Sequence, residues 1–408
     1  MANAQDLSAP LATPVKRTSA PANHLSATVT SDPASLRETW QRLEADPATT
    51  FHQSRAWVEA WSQGTGDDLF LVTLEQNGTA FAILPLEIRK AGGLKVARFA
   101  GTAYSNENTG LIDTQRINRA APLPTTELAR ALSHAGLAAD IVLFDKMTPE
   151  TAGRVPFTAL PRVFHQNPSF QLPLFEDFNQ VLAQINGKRR RKKFRVSERR
   201  LEALGGYRHL TGDTDAGALQ LLEAFFAQKT VRLAAQGLPD VFADPGIRDF
   251  LRRLATTRDA EGAPALELHG IELAGGEHQG EIIAVAGLTI KDRHVTCQFG
   301  SINEEIAADV SAGELLFYRM IERASAAGHA VFDFGVGDQL YKRSWCPQRT
   351  ELVDCYLPLN LKGRLAAPAI AGLIRLKRTI KTSPLLHRFA SRARGVMVQK
   401  TKPAADMD

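Results

Sequence analysis

Two stretches of this chain, Leu36 to Phe175 and Glu176 to Asn360, carry the same order of secondary-structure signals, and that repetition limits the folds open to it. In the first, SDPASLRETWQRLEAD, with Ser31 as N-cap, reads as a helix. SRAWVEAWSQ reads as a second, ended by Gly64 and Gly66. DLFLVTLEQNGTAFAILPLEIR then sets two apolar runs around Asn77-Gly78, the pair that favours a tight hairpin turn. LKVARFAGTAY predicts a strand, TTELARALSHAG a helix, ADIVLFDKM a buried strand and VFHQNPSFQLPLF extended segments. The second stretch opens on helices in Glu176–Gly187, KRRRKKFRVSERRLEALGG, GALQLLEAFFAQKTVRLAAQG and ADPGIRDFLRRLATT. Three strands follow between Ala265 and Ile302, then SAGELLFYRMIERASAAGH, a helix with Leu315, Leu316, Met320 and Ile321 on one side. VFDFG and ELVDCYLPLN complete it as strands. Strand–strand–strand–helix–strand–helix–strand, twice over, predicts a duplicated α+β unit. The expected parts are a disordered leader (1–30), a first half (31–175), a second half (176–360) and a basic tail (361–408).

The Ala, Pro, Ser and Thr-rich leader lacks the apolar core of a signal peptide, and no stretch approaches the roughly 20 apolar residues that span a bilayer. Three cysteines, Cys297, Cys346 and Cys355, fit reduced thiols better than a disulfide framework, and the setting is read as cytoplasmic. Cys297 lies in an apolar strand and is read as a buried thiol. The ten histidines show no H-x-x-x-H spacing, so no metal is expected. The chain totals +5, but Lys362–Asp408 holds 11 Lys and Arg against two Asp, so the remainder is net −4. Basicity gathered in an appendage argues against a body built to bind nucleic acid.

Chemistry is concentrated in the second half. A strand, VTCQFGSI, leads to the turn Val310-Ser311-Ala312-Gly313 and a helix N-terminus, an arrangement whose free amides suit an anion such as a pyrophosphate. A plain Ser N-cap would read the same way. In VFDFGVGDQLYKRSWC, alternation sets Val331, Asp333 and Gly335 on one strand face and Phe332 and Phe334 on the other. Asp338 is a candidate cap for a short helix carrying Tyr341, Lys342 and Trp345.

The stretch DFGVGDQLYKRSW, preceded by a small-residue turn and an amphipathic helix, resembles the CelD-type acetyltransferases of the GNAT superfamily, associated with cellulose and other exopolysaccharide biosynthesis. FHQSRAWVEAW, the Asn77-Gly78-Thr79 hairpin and KKFRVSERRLEALGG are similar too, so the likeness runs from Phe51 to Asn360. FemAB-type aminoacyltransferases share the tandem fold. The resemblance implies an α+β (α/β) chain of two GNAT-like domains, each a mixed central sheet flanked by helices, the first degenerate. It implies acetyl-CoA or another acyl-CoA as co-substrate, with Gln298, Phe299, Gly300 and Ser301 along the pantetheine and Ser311, Ala312, Gly313 and Glu314 at the pyrophosphate. The family's Ser-Pro-Gly turn is Ser311-Ala312-Gly313 here. Tyr341 matches the tyrosine that protonates the leaving thiolate; Asp333 is the candidate to orient or deprotonate the acceptor, and Lys342 to bind an anion. Each has a structural alternative: Tyr341 packing on Trp345, Asp333 pairing with an arginine, Lys342 solvated.

KRRRKKFRVSERR places nine Lys and Arg and one Glu between Lys188 and Arg200, covering most of a helix circumference; a solvated helix or an anion site both fit. The tail mixes Ile, Leu and Phe with cations, the pattern of a helix that lies on an anionic membrane or packs on the body. Three functions therefore stand: acyl transfer to a sugar or exopolysaccharide precursor, aminoacyl transfer from aminoacyl-tRNA, and a non-catalytic scaffold. The absence of a long heptad arm disfavours the second.

Overall fold

Each half of the chain builds a mixed sheet around one parallel strand pair, and each sheet borrows a strand from the other half. The computed structural model describes residues 25–117, 122–307 and 309–383. Its strands are β1 (Leu25–Thr30), β2 (Phe70–Gln76), β3 (Thr79–Ala91), β4 (Leu94–Phe99), β5 (Leu111–Ile112), β6 (Ile141–Met147), β7 (Arg162–Phe164) and β8 (Ser169–Pro173). They continue as β9 (Tyr207–Thr211), β10 (Glu267–Leu273), β11 (Ile282–Lys291), β12 (His294–Ile302), β13 (Val331–Val336), β14 (Gln348–Thr350) and β15 (Val353–Pro358). The first sheet runs β1-β2-β3-β4-β6-β15-β7 with β5 on β3, and the second β14-β8-β13-β12-β11-β10-β9. β4 and β6 are parallel in the first, β12 and β13 in the second. The mixed α/β sheets with flanking helices are those expected.

The hairpin between β2 and β3 turns at Asn77 (φ 53°) and Gly78 (φ 73°), both left-handed as a twisted two-residue turn requires. Four expectations need correction. Leu25–Thr30 is not part of a disordered leader; it pairs along its length with β2, because its alternating Leu25, Ala27 and Val29 meet the first core. Residues 1–24 lie outside those described. Asp32, not Ser31, caps the opening turn, accepting from the Ala34 amide. The Arg55–Thr65 helix runs through Gly64 and ends at Gly66 (φ 70°). Gly64 instead permits close approach: a Cβ there would stand 2.5 Å from the Phe250 amide nitrogen. Tyr207–Thr211, after the glycine pair, forms the edge strand β9.

β8 lies in the second sheet, between β13 and β14, whereas β15 lies in the first, between β6 and β7. Element order along a chain does not state strand partners, and β8 sends Phe170 and Leu172 into the second core. That core includes the Phe178–Ala183, Gly187–Ala203 and Ala312–Ala326 helices. The opposite face of the second sheet carries the Asp215–Ala235 and Pro245–Thr256 helices, which share a core with the Arg55–Thr65 helix of the first half. There Trp57 and Trp61 meet Phe250 edge-on at 4.9 and 5.2 Å. Burial of such rings contributes roughly 1.5–3 kcal/mol each, so the halves are joined by core rather than by a linker. The Leu361–Thr382 helix lies on the first sheet through Ala367, beside Val96 and Ile141; residues 384–408 are outside those described.

Candidate active site between the two halves

β12 and β13 are paired only from His294–Thr296 to Val331–Asp333. On the other edge of β12, Gly287 faces Phe299 and Leu288 faces Cys297, so Gln298 is an extra residue, a bulge. A bulge bends its strand and disrupts the ladder locally, which parts the two parallel strands just beyond their pairing. The predicted donor residues Gln298, Phe299, Gly300 and Ser301 therefore lie on β12 past its last pair with β13, on one side of this opening of the ladder, with Gly335 and Val336 on the other. Phe299 stacks on Phe225 and Ser301 donates to Gln228. The Ala312–Ala326 helix begins at the far end of β12, where a Cβ on Gly313 would meet Ile302 at 3.1 Å. Ser311 is left-handed (φ 57°) and its side chain makes no cap bond, so the plain Ser-cap reading does not hold. The Glu314 and Leu315 amides turn back onto the Ser311 carbonyl at 3.0 and 3.2 Å.

The basic Gly187–Ala203 helix runs along this first turn. Arg190 Nη1 donates to Glu314 at 2.5 Å, with Lys193 3.6 Å from the same carboxylate, and Arg200 donates to the Asp309 carbonyl. Arg190 is buried and its guanidinium lies 4.1 Å above the Trp345 ring. Its neighbours Arg189, Arg191, Lys192 and Arg195 face solvent. Glu314 is thus committed to the basic helix, which sets Arg190, Lys193 and Arg200 beside this helix N-terminus.

Of the predicted catalytic residues, Tyr341 stacks on Phe317 at 5.4 Å and meets Phe334 edge-on at 6.0 Å, on the helical side of β13. Burial pushes its phenol well above the ordinary tyrosine value, so the group keeps its proton. Trp345 is packed beneath Phe334 rather than on Tyr341. Lys342 is 5% exposed, and its Nζ donates to the Gly335 and Val336 carbonyls at 3.2 and 2.8 Å. It clamps the end of β13, with its ammonium pKa lowered by burial. Asp338 pairs with Arg343 at 2.5 Å, and Gln339 occupies the N-cap position that Asp338 was expected to fill.

Asp333 points the other way, into a cleft of about 720 Å3 between the halves. Its carboxylate accepts from the Gly335 amide at 2.6 Å, Gln171 at 2.9 Å and Ser169 at 3.3 Å, and pairs with His294 at 3.3 Å. Burial opposes its charge, but His294 and these donors outweigh burial and lower its pKa. For His294 burial likewise opposes charge, and Asp333 outweighs it and raises the pKa. Among the described residues the partners of Asp333 are those four and no arginine.

The first half supplies residues that sequence reasoning missed. Asn106 Oδ1 accepts from the Val336 amide, and its Nδ2 donates to Gln298, both at 3.0 Å, so it bridges the parted strands. Gly335 (φ 69°) has no room for a Cβ, which would fall 2.1 Å from that Oδ1. His52 Nε2 accepts from the Asn106 amide at 3.3 Å and lies 3.0 Å from Gln298 Nε2. Burial lowers its pKa to about 4, so it is a neutral acceptor. Glu107, half-buried in the cleft wall, is pushed up to about 7 by burial and by the Asp333 charge. No local pattern marks TAYSNENTG as anything but a polar loop; only its contacts reveal it.

In the first half the equivalent opening beyond β4 and β6 is closed. Lys146, left-handed at φ 58°, donates Nζ to the Thr102 and Ser105 carbonyls, and Asp145 is taken by Arg98 and Thr102. Cys297 is buried and pushed up to about 12, an inert thiol.

Residues 188–343 match the family described as Acetyltransferase (GNAT) domain. This segment is a GNAT-type acyltransferase domain. Acyl-CoA is the general co-substrate of such domains. Among solved structures, one described as FemX is similar at 14% identity with a TM-score of 0.57, covering 81% of this chain and 97% of that one. L-PGS from Bacillus licheniformis is similar at 11% identity and TM-score 0.51, covering 85% and 98%. Both likenesses are of fold. No curated protein matches the sequence. Among the described residues, no helix is long and apolar enough to cross a membrane.

Proposed function

We propose that this chain transfers an acyl group, acetyl in the simplest case, from acyl-CoA to an amine or hydroxyl of a sugar or exopolysaccharide precursor held in the cleft between its halves. The observation that carries this reading is the parting of β12 and β13 at the Gln298 bulge, directly beside a cation-flanked helix N-terminus. Gln298, Phe299, Gly300 and Ser301 line the acyl-bearing arm, and Ser311, Ala312 and Gly313 face the pyrophosphate. The cleft offers Thr148, Thr151, Thr296 and Gln171 beside Arg154–Glu150 and Lys291–Asp292 pairs, a balanced, hydrogen-bonding wall suited to a polyhydroxylated acceptor. Glu107, with a pKa near neutrality, takes the acceptor proton. The Asp333–His294 pair orients the acceptor, backbone amides near the bulge stabilise the oxyanion, and Tyr341 protonates the departing thiolate. Lys342 holds the β13 carbonyls that face this chemistry.

On this reading the chain works in the cytoplasm, and the cations after Leu361 favour peripheral contact with the inner membrane face. A second reading keeps the same opening but takes aminoacyl-tRNA as donor, favoured by the solvent-facing cations of the Gly187–Ala203 helix. Calorimetric titration with acetyl-CoA and desulfo-CoA separates them. Binding is expected, and Gly313→Trp should abolish it while leaving the melting temperature within a few degrees. No binding to any acyl-CoA by the wild type would overturn the first reading in favour of the second or of a scaffold role. Asp333→Asn should lower turnover by about 100-fold, the scale of a lost acid–base or orienting group, with a smaller effect on stability; thiol release from acetyl-CoA with candidate sugar acceptors measures it.

A further inference from the structure

The Leu361–Thr382 helix has two unlike sides. Its inner side is small: Gly363, Ala367 and Ala371 are buried, and a Cβ on Gly363 would overlap the Asp140 carbonyl. Its outer side is large and apolar. Leu361, Leu365, Leu373 and Leu376 are 69, 75, 51 and 55% exposed. At helical periodicity they occupy about 120° of the circumference, with Pro368, Ala369 and Gly372 between the two leucine pairs, so the whole face is apolar. Lys377 borders the stripe on one flank and Arg364 and Arg375 on the other, with Lys362 at its first turn, all exposed, and Leu361–Ser383 contains no acidic residue. Lys90 and Lys95 join Lys362 around a cavity of about 590 Å3 at the helix's first turn.

An apolar stripe edged by cations is the arrangement that sinks shallowly into an interface while its charges reach anionic headgroups. Electrostatics disfavours the other occupants. Residues 384–408 carry five Lys and Arg against two Asp, and a second copy would bring an identical cationic face. We infer that the outer face of the Leu361–Thr382 helix docks on an anionic lipid surface, giving the membrane contact proposed above a defined set of residues. This surface is separate from the acyl-transfer opening, so the two readings stand or fall by different measurements.

The test is co-sedimentation of the full chain with vesicles of phosphatidylcholine alone and with phosphatidylglycerol added. Binding should be at least tenfold stronger with the anionic lipid and should fall as salt rises. Leu365→Glu/Leu376→Glu and, separately, Arg364→Glu/Arg375→Glu should each weaken it at least tenfold; all four side chains face solvent, and near-ultraviolet circular dichroism checks the fold. Failure of the wild type to bind, equal binding to both vesicles, or unchanged binding by both variants would overturn the inference. A dimer in sedimentation velocity that Leu365→Glu/Leu376→Glu dissociates, without vesicle binding by the wild type, would assign the face to a second copy instead.

Discussion

Within one cleft, Asp333 is held ionised and Glu107 is held near neutrality, because the donors fall unequally. Asp333 takes three hydrogen bonds and His294, whereas Glu107 has burial and the Asp333 charge against it. The pH consequence follows from the sign of the shift. Between the ordinary glutamate value of 4.5 and about 7 the folded chain keeps a Glu107 proton that the unfolded chain has lost. Glu107 therefore contributes a stability loss that grows as pH rises through this window and is complete above it, on the order of 2 kcal/mol. Glu107→Gln should be the more stable protein at pH 8 by about that amount and equal to wild type near pH 4, measured by urea denaturation. Its turnover should fall by about 100-fold and lose the rise with pH around 7. Asp333, Tyr341 and Lys342 stand out in sequence because glycines and aromatics crowd that stretch. Glu107 and His52 do not, because their environment is made by residues up to 246 positions away.

At the scale of elements, the decisive feature is a strand with one residue too many. The alternation of VTCQFGSI predicts β12 but not its bulge, since a bulge is a relation between two strands and β11 must be present to define it. The basic helix shows the same limit. Its composition predicts exposure, yet Arg190 is buried because it reaches between Glu314 and Trp345. Removing one partner of such a pair leaves the other carboxylate with Lys193 at 3.6 Å. Arg190→Ala should therefore destabilise by about 3 kcal/mol, and the double change with Glu314→Ala by less than the sum of the two singles. A thermal double-mutant cycle checks this; strict additivity would mean the contact does not couple the two helices.

For the whole molecule, the exchange of β8 and β15 makes the halves interdependent. The first sheet lacks the strand between β6 and β7 without residues after 352, and the second lacks the neighbour of β13 without residues before 174. A chain ending at residue 175 and one beginning at 176 should each fail to give a cooperative melt. The intact protein should unfold in one calorimetric transition; two separate transitions would contradict the shared core around Trp57, Trp61 and Phe250. The sequence by itself determined most of the elements, though not β1 or β9, together with the hairpin at Asn77-Gly78, the helix that follows Ser311 and the singular DFGVGDQLYK stretch, because these depend on local periodicity and turn stereochemistry. Tertiary structure alone decided which strands pair, where β12 parts from β13, and that a polar loop of the first half supplies Asn106 and Glu107. Those outcomes depend on contacts between residues far apart in sequence, and no local pattern encodes a contact whose partner is supplied by another part of the fold.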